Sequence, residues 1–207
     1  MTDKIKTRKT PLQLRSKERV ERIIETTEQL LIDCDPTQIT TSLIARKANV
    51  PVGSIYQYFE DRNGVLLAVG DRVLHSQDQK LKNLFNEVSP HAHWRHVVKV
   101  VVEAYIKVET ENVINQKLHA ALAFTKEWKE INQSSANRVI EAFSQYGLLS
   151  EQGLSKKEAL SIVRVIVIMT TAVVRESTDR HSKEDANLLH GELIKMITAY
   201  LGTILGD

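Results

Sequence analysis

The sequence predicts an all-α fold of about nine helices, with a three-helix domain at the N-terminus and a larger helical domain after it. The chain has only 4 prolines and 8 glycines, and no proline follows Pro90. A β-sandwich or barrel needs many more turn residues than this. Apolar residues also recur at helical spacing along most of the chain. The hydrophobic share of 42% is enough for buried cores and too high for a disordered chain.

The N-terminal region predicts an arm followed by helices. Residues 1–15 are polar and basic, which is typical of an exposed arm. Helical spacing then predicts a first helix over 16–33, which ends before Pro36 because the residue preceding a proline avoids the α region. Two short helices are predicted next, over 41–48 and 52–59.

The remainder of the chain predicts longer helices with recognisable starts. Asp61 is an N-cap candidate for a helix that continues toward Glu87. Ser155 with Glu158, and Ser182 with Asp185, are capping patterns at the starts of the last two helices. The intervening helices are predicted over about 91–110, 112–122 and 125–146, and the last two run to near Val174 and Leu205.

Charge is distributed unevenly along the chain. The formal net charge is +2, but residues 1–22 hold eight cations and three anions, a local balance of +5. The other residues therefore sum to −3. A basic leader on a mildly acidic body indicates contact with a polyanion at one end, with a solvated tail as the alternative.

The segment 41–59, TSLIARKANVPVGSIYQYF, fits a helix-turn-helix for physical reasons. Ala45 is small where two helices must approach closely, and Asn49 tolerates the positive φ that the turn needs. Val50 fills the gap between the helices. Gly53 leaves the start of the second helix free of a bulky side chain, so that this end can enter a major groove. An ordinary helical hairpin with partly buried tyrosines is the alternative.

With these residues in view, Thr40 to Leu67 resembles the DNA-binding signature of the TetR family of bacterial transcriptional regulators. The preceding helix, RSKERVERIIETTEQLL over 15–31, resembles that family's first helix, and the match covers about 12–70. Asn49 stands where the family usually has glycine. Arg62-Asn63-Gly64 stands where a lysine and better helix formers are usual. The resemblance implies a basic arm, a DNA-binding domain and an effector-binding and dimerisation domain over 1–15, 16–62 and 63–207.

The resemblance also implies roles in DNA binding. It assigns phosphate contacts to Thr41, which would also cap the second helix, and to Tyr56, Tyr58 and Arg62. It assigns base edges to Gly53, Ser54 and Gln57. Of these, Gln57 is the best base-reading candidate, because glutamine pairs with adenine through two hydrogen bonds. Arg46 and Lys47 are alternatives, and the arm would lie along an adjacent minor groove.

The resemblance further implies a homodimer formed by the last two helices. The sequence supports this independently, because the run from Ile162 to Met169 is apolar almost all round and must be buried on more than one side. A monomer in which that helix is simply central is the alternative. The residues predicted at the interface are Ile162, Ile166, Met169, Leu193, Ile197 and Tyr200.

An effector pocket is implied within the fourth to seventh helices. Aromatic residues that could line it are Trp94, Tyr105, Phe124, Trp128, Phe143 and Tyr146. Ordinary core packing of each aromatic is the alternative.

We predict no cofactor and no metal. His91, His93 and His96 precede Glu103 with spacing too loose for zinc, and Cys34, the single cysteine, excludes a Cys-rich site. An enzyme is disfavoured because no phosphate loop, nucleophile elbow or HExxH motif occurs. A helical adaptor that binds another protein is the remaining alternative.

The predicted function is a ligand-responsive transcriptional repressor in the bacterial cytoplasm. It would bind palindromic double-stranded operator DNA as a homodimer and be released by a small-molecule effector, with no membrane partner.

Overall fold

The computed structural model describes residues 14–88, 92–144, 149, 152–180 and 182–206. Nearly all of the predicted basic arm therefore lies outside the described residues. The regular structure of the described part is entirely helical, which confirms the predicted class. Its elements are α1 (Leu14–Asp33), a 3₁₀ turn (Pro36–Gln38), α2 (Thr41–Lys47), α3 (Val52–Tyr58), α4 (Arg62–Glu87), α5 (Trp94–Glu111), α6 (Val113–Leu122), α7 (Lys126–Ser144), α8 (Lys156–Arg180) and α9 (Lys183–Leu205).

The local signals at the helix starts are confirmed. The N–H of Gly64 donates to Asp61 Oδ1 at 2.8 Å, so Asp61 satisfies a first-turn donor of α4. At the start of α8, the N–H of Ser155 donates to Glu158 Oε2 at 2.9 Å, while the N–H of Glu158 donates to Ser155 Oγ at 3.3 Å. Ser182 caps α9 in the same way, by accepting the N–H of Asp185 at 3.2 Å.

The chain forms two compact units. Unit 1 comprises the chain up to Ser76 together with Asn112–Ser134, and unit 2 comprises Gln77–Glu111 together with Ser135–Asp207. Unit 1 therefore contains α1 to α3 and α6, and unit 2 contains α5, α8 and α9. The helices α4 and α7 each contribute one part to each unit. The three-part division into 1–15, 16–62 and 63–207 stays a prediction.

Unit 1 is held together by one apolar core to which α6 and α7 contribute. Trp128 of α7 is buried in that core, and its indole N–H donates to His119 Nδ1 of α6 at 3.1 Å. Lys117 of α6 donates from Nζ to the carbonyl oxygens of Ile32 and Cys34, at 3.1 and 2.9 Å. These are carbonyls that the end of α1 leaves unpaired, so Lys117 acts as a C-terminal cap for α1.

Unit 2 is built from α5, α8 and α9, which pack on one another around Ile162, Leu193 and Ile197. Its polar interior includes Asp78 of α4. The Asp78 carboxylate accepts the Ser135 hydroxyl and Arg138 Nε, each at 2.7 Å. A buried carboxylate is tolerated there because both of its oxygens are paired.

Candidate nucleic-acid interface and ligand cavity

The second helix of unit 1 begins one residue earlier than the resemblance implied. Thr40 is the N-cap of α2, because it has extended backbone and its hydroxyl accepts the N–H of Leu43 at 3.1 Å. Thr41 is the first residue inside the helix. The implied capping role of Thr41 is therefore wrong, and its hydroxyl is free to interact with α3.

The turn between α2 and α3 has the geometry that the sequence predicted. Asn49 has a φ of 52°, and it is the single non-glycine residue with positive φ among the described residues. The N–H of Val50 donates to Ala45 O at 3.0 Å, and the Val50 side chain packs against the core of unit 1. Pro51 then begins α3, since its carbonyl accepts the N–H of Ser54 at 2.8 Å. The turn is therefore fixed by backbone hydrogen bonds and by one apolar side chain.

The short helix α3 has a buried face and an exposed face. Ile55 and Tyr58 are buried in the core, and Tyr58 is only 2% exposed. Ser54 is also buried. The exposed face carries Gly53, Tyr56 and Gln57. Three of the seven predicted DNA-contacting residues therefore lie on one open surface, whereas Ser54 and Tyr58 face the protein.

Tyr56 is connected to the start of α2. Its hydroxyl lies 3.0 Å from Thr41 Oγ1, which is hydrogen-bond distance. The ring of Tyr56 is 43% exposed. This pair gives the exposed surface a fixed hydroxyl group that bridges the two helices of the motif.

Arg62 uses much of its hydrogen-bonding capacity within the protein. Its Nε donates to Ile39 O at 2.6 Å, a second nitrogen donates to Pro36 O, and a third donates to Asn63 Oδ1 at 3.1 Å. The guanidinium therefore anchors the segment between α1 and α2 to the start of α4. No local pattern in the sequence indicates this role, because it depends on carbonyls 23 and 26 residues away.

The surface around α3 carries positive charge. Arg46 and Lys47 lie in the last turn of α2 and are exposed. No aspartate or glutamate occurs between Pro36 and Phe59. Lys17, Arg19 and Arg22 on α1 are exposed as well. An exposed polar helix beside cations, with no acidic residue in the motif, is suited to a phosphate backbone.

The comparison with known families agrees with this geometry. Residues 23–69 match the family model of bacterial regulatory proteins, tetR family. The matched segment spans α1 from Ile23, both helices of the motif and the start of α4. The N-terminal domain is a TetR-family DNA-binding domain. The exposed surface formed by Gly53, Tyr56 and Gln57 lies within the matched segment.

Solved structures of TetR-family proteins share the fold over nearly the whole chain. A TetR-family transcriptional regulator from Streptomyces coelicolor is 22% identical, covers 92% of this chain and 99% of its own, and has a TM-score of 0.67. RolR in complex with resorcinol is 15% identical, with coverage of 93% and 95% and a TM-score of 0.64. SmeT, the repressor of the Stenotrophomonas maltophilia multidrug efflux pump SmeDEF, is 16% identical, with coverage of 87% and 89% and a TM-score of 0.62. A search of curated protein sequences gives no significant match.

Unit 2 leaves an apolar face uncovered on α8 and α9. Of the six residues predicted at the interface, Ile162, Leu193 and Ile197 are buried in the core of the protomer, Ile166 and Met169 are partly buried, and Tyr200 is exposed. The first three cannot face a partner, and this part of the prediction is corrected. The exposed apolar side chains are instead Val165, Ile168, Leu188, Met196 and Tyr200.

The apolar character of α9 has a second consequence. Among the described helices, α9 passes a length-and-composition test for a membrane span. A helix with two apolar faces in a soluble bundle can have the same length and composition, so these two features alone do not indicate a membrane span. An apolar face in addition to the one that packs on α5 and α8 accounts for this composition.

Unit 2 also contains a partly open cavity of about 110 Å³. Tyr105 and Phe143 line it, whereas Trp94 is a core residue of unit 2 that does not line it, and the effector role of these aromatic residues stays a prediction. Trp128 and Phe124 belong to unit 1, where Trp128 is buried and Phe124 is 96% exposed. Tyr146 lies outside the described residues. The other walls are aliphatic, and the spacing of Val97, Val101 and Tyr105 in α5 is the sequence signal that could have located them.

Metal-ligating residues do not cluster in the part of the chain that the structure describes. His91 lies outside that part. His93 and His96 are exposed at the start of α5.

Proposed function

We propose that this TetR-family chain is a ligand-responsive repressor that binds palindromic operator DNA as a homodimer and is released by a small-molecule effector. The observation that carries the proposal is the exposed face of α3. Its back is anchored in the core through Ile55 and Tyr58, while Gly53, Tyr56 and Gln57 face solvent beside Arg46 and Lys47. A rigidly held polar helix with neighbouring cations is what major-groove recognition requires.

The proposed DNA contacts divide into positioning and reading. Tyr56, Thr41 and the cations of α2 bind phosphates and fix the register, while Gln57 reads a base edge. A methyl group added at Gly53 would meet no protein atom within 4 Å, so packing within the chain does not require a glycine there. We infer that the missing side chain instead lets DNA approach α3 closely. Arg62, Ser54 and Tyr58 contribute chiefly by holding the motif in place, and any phosphate contact they make is secondary to that role.

The proposed dimer uses the exposed apolar face of α8 and α9. Ile168, Leu188 and Met196 are each more than half exposed in the protomer. Burial of such side chains is favourable by about 25 cal/mol per Å² of apolar surface. A twofold dimer would carry two α3 helices, one for each half-site of an inverted repeat.

The proposed effector site is the cavity of unit 2. RolR, which shares the fold, is known in complex with resorcinol, and SmeT is a repressor. By analogy with these two relatives, we infer that occupancy of the cavity lowers the affinity for DNA. Because coupling is reciprocal, operator DNA would lower the affinity for the effector by the same factor.

Site selection from a random duplex library tests the proposal. We expect an inverted-repeat consensus at near-physiological salt, with fluorescence anisotropy giving a steep salt dependence of the affinity for that sequence. A consensus without inverted symmetry would contradict dimeric recognition, and no enrichment from protein shown to be ligand-free would contradict sequence-specific binding.

The dimer has a test of its own. We expect the double variant Ile168→Asp, Met196→Asp to be monomeric in sedimentation velocity experiments and to lose most of its operator affinity. Phe124→Asp is the matched control, because Phe124 is the most exposed large apolar side chain of the described residues and belongs to unit 1. A double variant that remained dimeric would place the interface elsewhere.

A further inference from the structure

The wall of the cavity in unit 2 is almost wholly apolar. Of its 16 lining residues, all but two are aliphatic or phenylalanine. The two exceptions are Tyr105 and Thr170, and neither carries a charge. The rings of Phe85 and Phe143 meet edge to face on this wall, with centroids 4.3 Å apart. A ligand inside the cavity therefore contacts mainly carbon atoms of the described wall.

The two hydroxyl groups of the wall already have partners within the protein. Thr170 Oγ1 donates to Ile166 O at 2.8 Å, one turn earlier in α8. Tyr105 Oη lies 2.8 Å from Thr171 Oγ1. Burial raises the pKa of Tyr105 above its ordinary value, and the neighbouring Glu109 adds to this effect, so the phenol stays neutral. Among the described residues, the wall therefore has no charged group and no free set of hydrogen-bonding groups that could replace the hydration of a polar ligand.

The volume limits the size of the ligand. An apolar cavity of about 150 Å³ in another protein stays dry and binds benzene or xenon. The cavity here measures about 110 Å³. A molecule of about one-ring size therefore fits this space when the side chains do not move, and a short alkyl substituent can extend toward the open side.

We propose that the ligand of this cavity is a small, uncharged, apolar molecule, no larger than a single ring with at most a short alkyl substituent. This proposal rests on the proposed function, in which a ligand bound in this cavity is the effector. A carboxylate or a ring hydroxyl would lose its hydration on entering and would regain few hydrogen bonds. Affinity should therefore fall as polar groups are added to the same ring.

A ligand series measured on the full-length protein tests the chemistry without DNA. Benzene, toluene, phenol, resorcinol and benzoate are titrated by calorimetry, with the rise in Tm as a second readout. We expect benzene and toluene to bind, phenol to bind about tenfold more weakly, resorcinol more weakly again, and benzoate not measurably. Tighter binding of resorcinol or benzoate than of toluene would overturn the proposal, as would the absence of binding by the whole series.

Two variants test whether toluene binds in the cavity of unit 2. Val163→Phe fills the cavity and should abolish toluene binding, whereas Val113→Phe, at an exposed valine of unit 1, should leave it unchanged. If Val163→Phe does not fold, xenon bound under pressure in a crystal of the unmodified protein gives the location directly. Xenon or toluene bound elsewhere would overturn the proposal.

The same ligands added to the protein–operator complex separate this inference from the proposed function. Release of DNA by toluene, lost in Val163→Phe, supports both. Binding of toluene in the cavity without release of DNA leaves the ligand class standing and contradicts the role of the cavity as the effector site.

Discussion

The hydroxyl groups of Thr41 and Tyr56 lie 3.0 Å apart and join the first residue of α2 to the exposed face of α3. The two residues are 15 positions apart. Neither helix exceeds 7 residues, so neither is stable alone, and their relative orientation depends on contacts of this kind. The pair therefore fixes the position of the Tyr56 hydroxyl, for which we propose a phosphate contact.

Tyr56→Phe removes this bridge and the proposed phosphate contact together. We expect weaker binding to all duplexes alike, by about 1–2 kcal/mol, with little change in Tm because the ring is largely exposed. Anisotropy titrations with operator and scrambled duplexes at two salt concentrations measure the effect. Thr41→Val, which removes the bridge and the Thr41 hydroxyl but keeps Tyr56, is the comparison variant. An unchanged affinity in Tyr56→Phe would exclude the Tyr56 hydroxyl from DNA binding, and loss confined to the operator would contradict a phosphate role.

Gln57→Ala should change the preferred sequence rather than the general affinity. Gln57 is exposed on α3 and has no intramolecular hydrogen bond among those described that would occupy its amide. Loss of a two-bonded contact to adenine costs about 1–3 kcal/mol of discrimination at one base pair. Site selection with the variant measures this as relaxed preference at one position of each half-site. Lys47→Ala is the control, since it should lower the affinity for every sequence. An unchanged consensus and affinity would remove Gln57 from base reading.

Much of the fold was predictable because its signals are local. Helix starts depend on residues three positions apart, as with Ser155 and Glu158, and these pairs form the hydrogen bonds that their spacing predicts. Asn49 likewise has the positive φ that its place in the motif requires. Gly53, Tyr56 and Gln57 follow this turn on the exposed face of α3, and their contacts with DNA stay a prediction.

The residues that the sequence placed wrongly depend on distant contacts. In α8 and α9 apolar side chains occur on all sides, so periodicity cannot tell the face that packs on the protomer from the one that is exposed. Ile197 is fully buried while Met196, its neighbour, is 56% exposed. The aromatic residues were ambiguous for the same reason, because Trp128 fills the core of unit 1 rather than a cavity.

A substitution of Arg62 can distinguish a role in holding the motif in place from a role in binding phosphate. Arg62→Lys keeps the charge but cannot donate to Ile39 O, Pro36 O and Asn63 at once. We expect the variant to lower Tm and to weaken operator binding. Circular dichroism melts and anisotropy titrations give the two quantities. Lys47→Arg is the control for a change of cation on the same surface. A variant with unchanged Tm and affinity would show that charge alone accounts for Arg62.

Gly70 is required by the packing of unit 1. A methyl group at this position would collide with Cζ3 of the Trp128 ring and lie 3.1 Å from Cη2. Gly70→Ala gains about 1 kcal/mol of helix propensity, but overpacking a fixed core costs about 1–3 kcal/mol. We expect a lower Tm. Gly191→Ala, in a helix where the methyl group meets nothing within 4 Å, should keep or raise it. Equal shifts in the two variants would mean that Trp128 moves without cost.

His190 makes the stability of unit 2 depend on pH. Its Nε2 lies 2.8 Å from Ser177 Oγ, and burial lowers the pKa of His190 below its ordinary value of 6.5. Between the folded pKa and about 6.5, the unfolded chain binds a proton that the folded chain does not, so the free energy of unfolding falls as the pH decreases through this range. Above the range the neutral ring contributes its full stability. The lowered pKa of Glu158, which arises from its hydrogen bonds with Ser155, acts only in more acidic solution, where protonation removes the stability it contributes.

We therefore expect Tm to decrease between pH 7 and 5.5, and His190→Gln, which cannot be protonated, to show a smaller decrease. Matching Tm profiles of the two proteins over this range would exclude His190 as the group responsible.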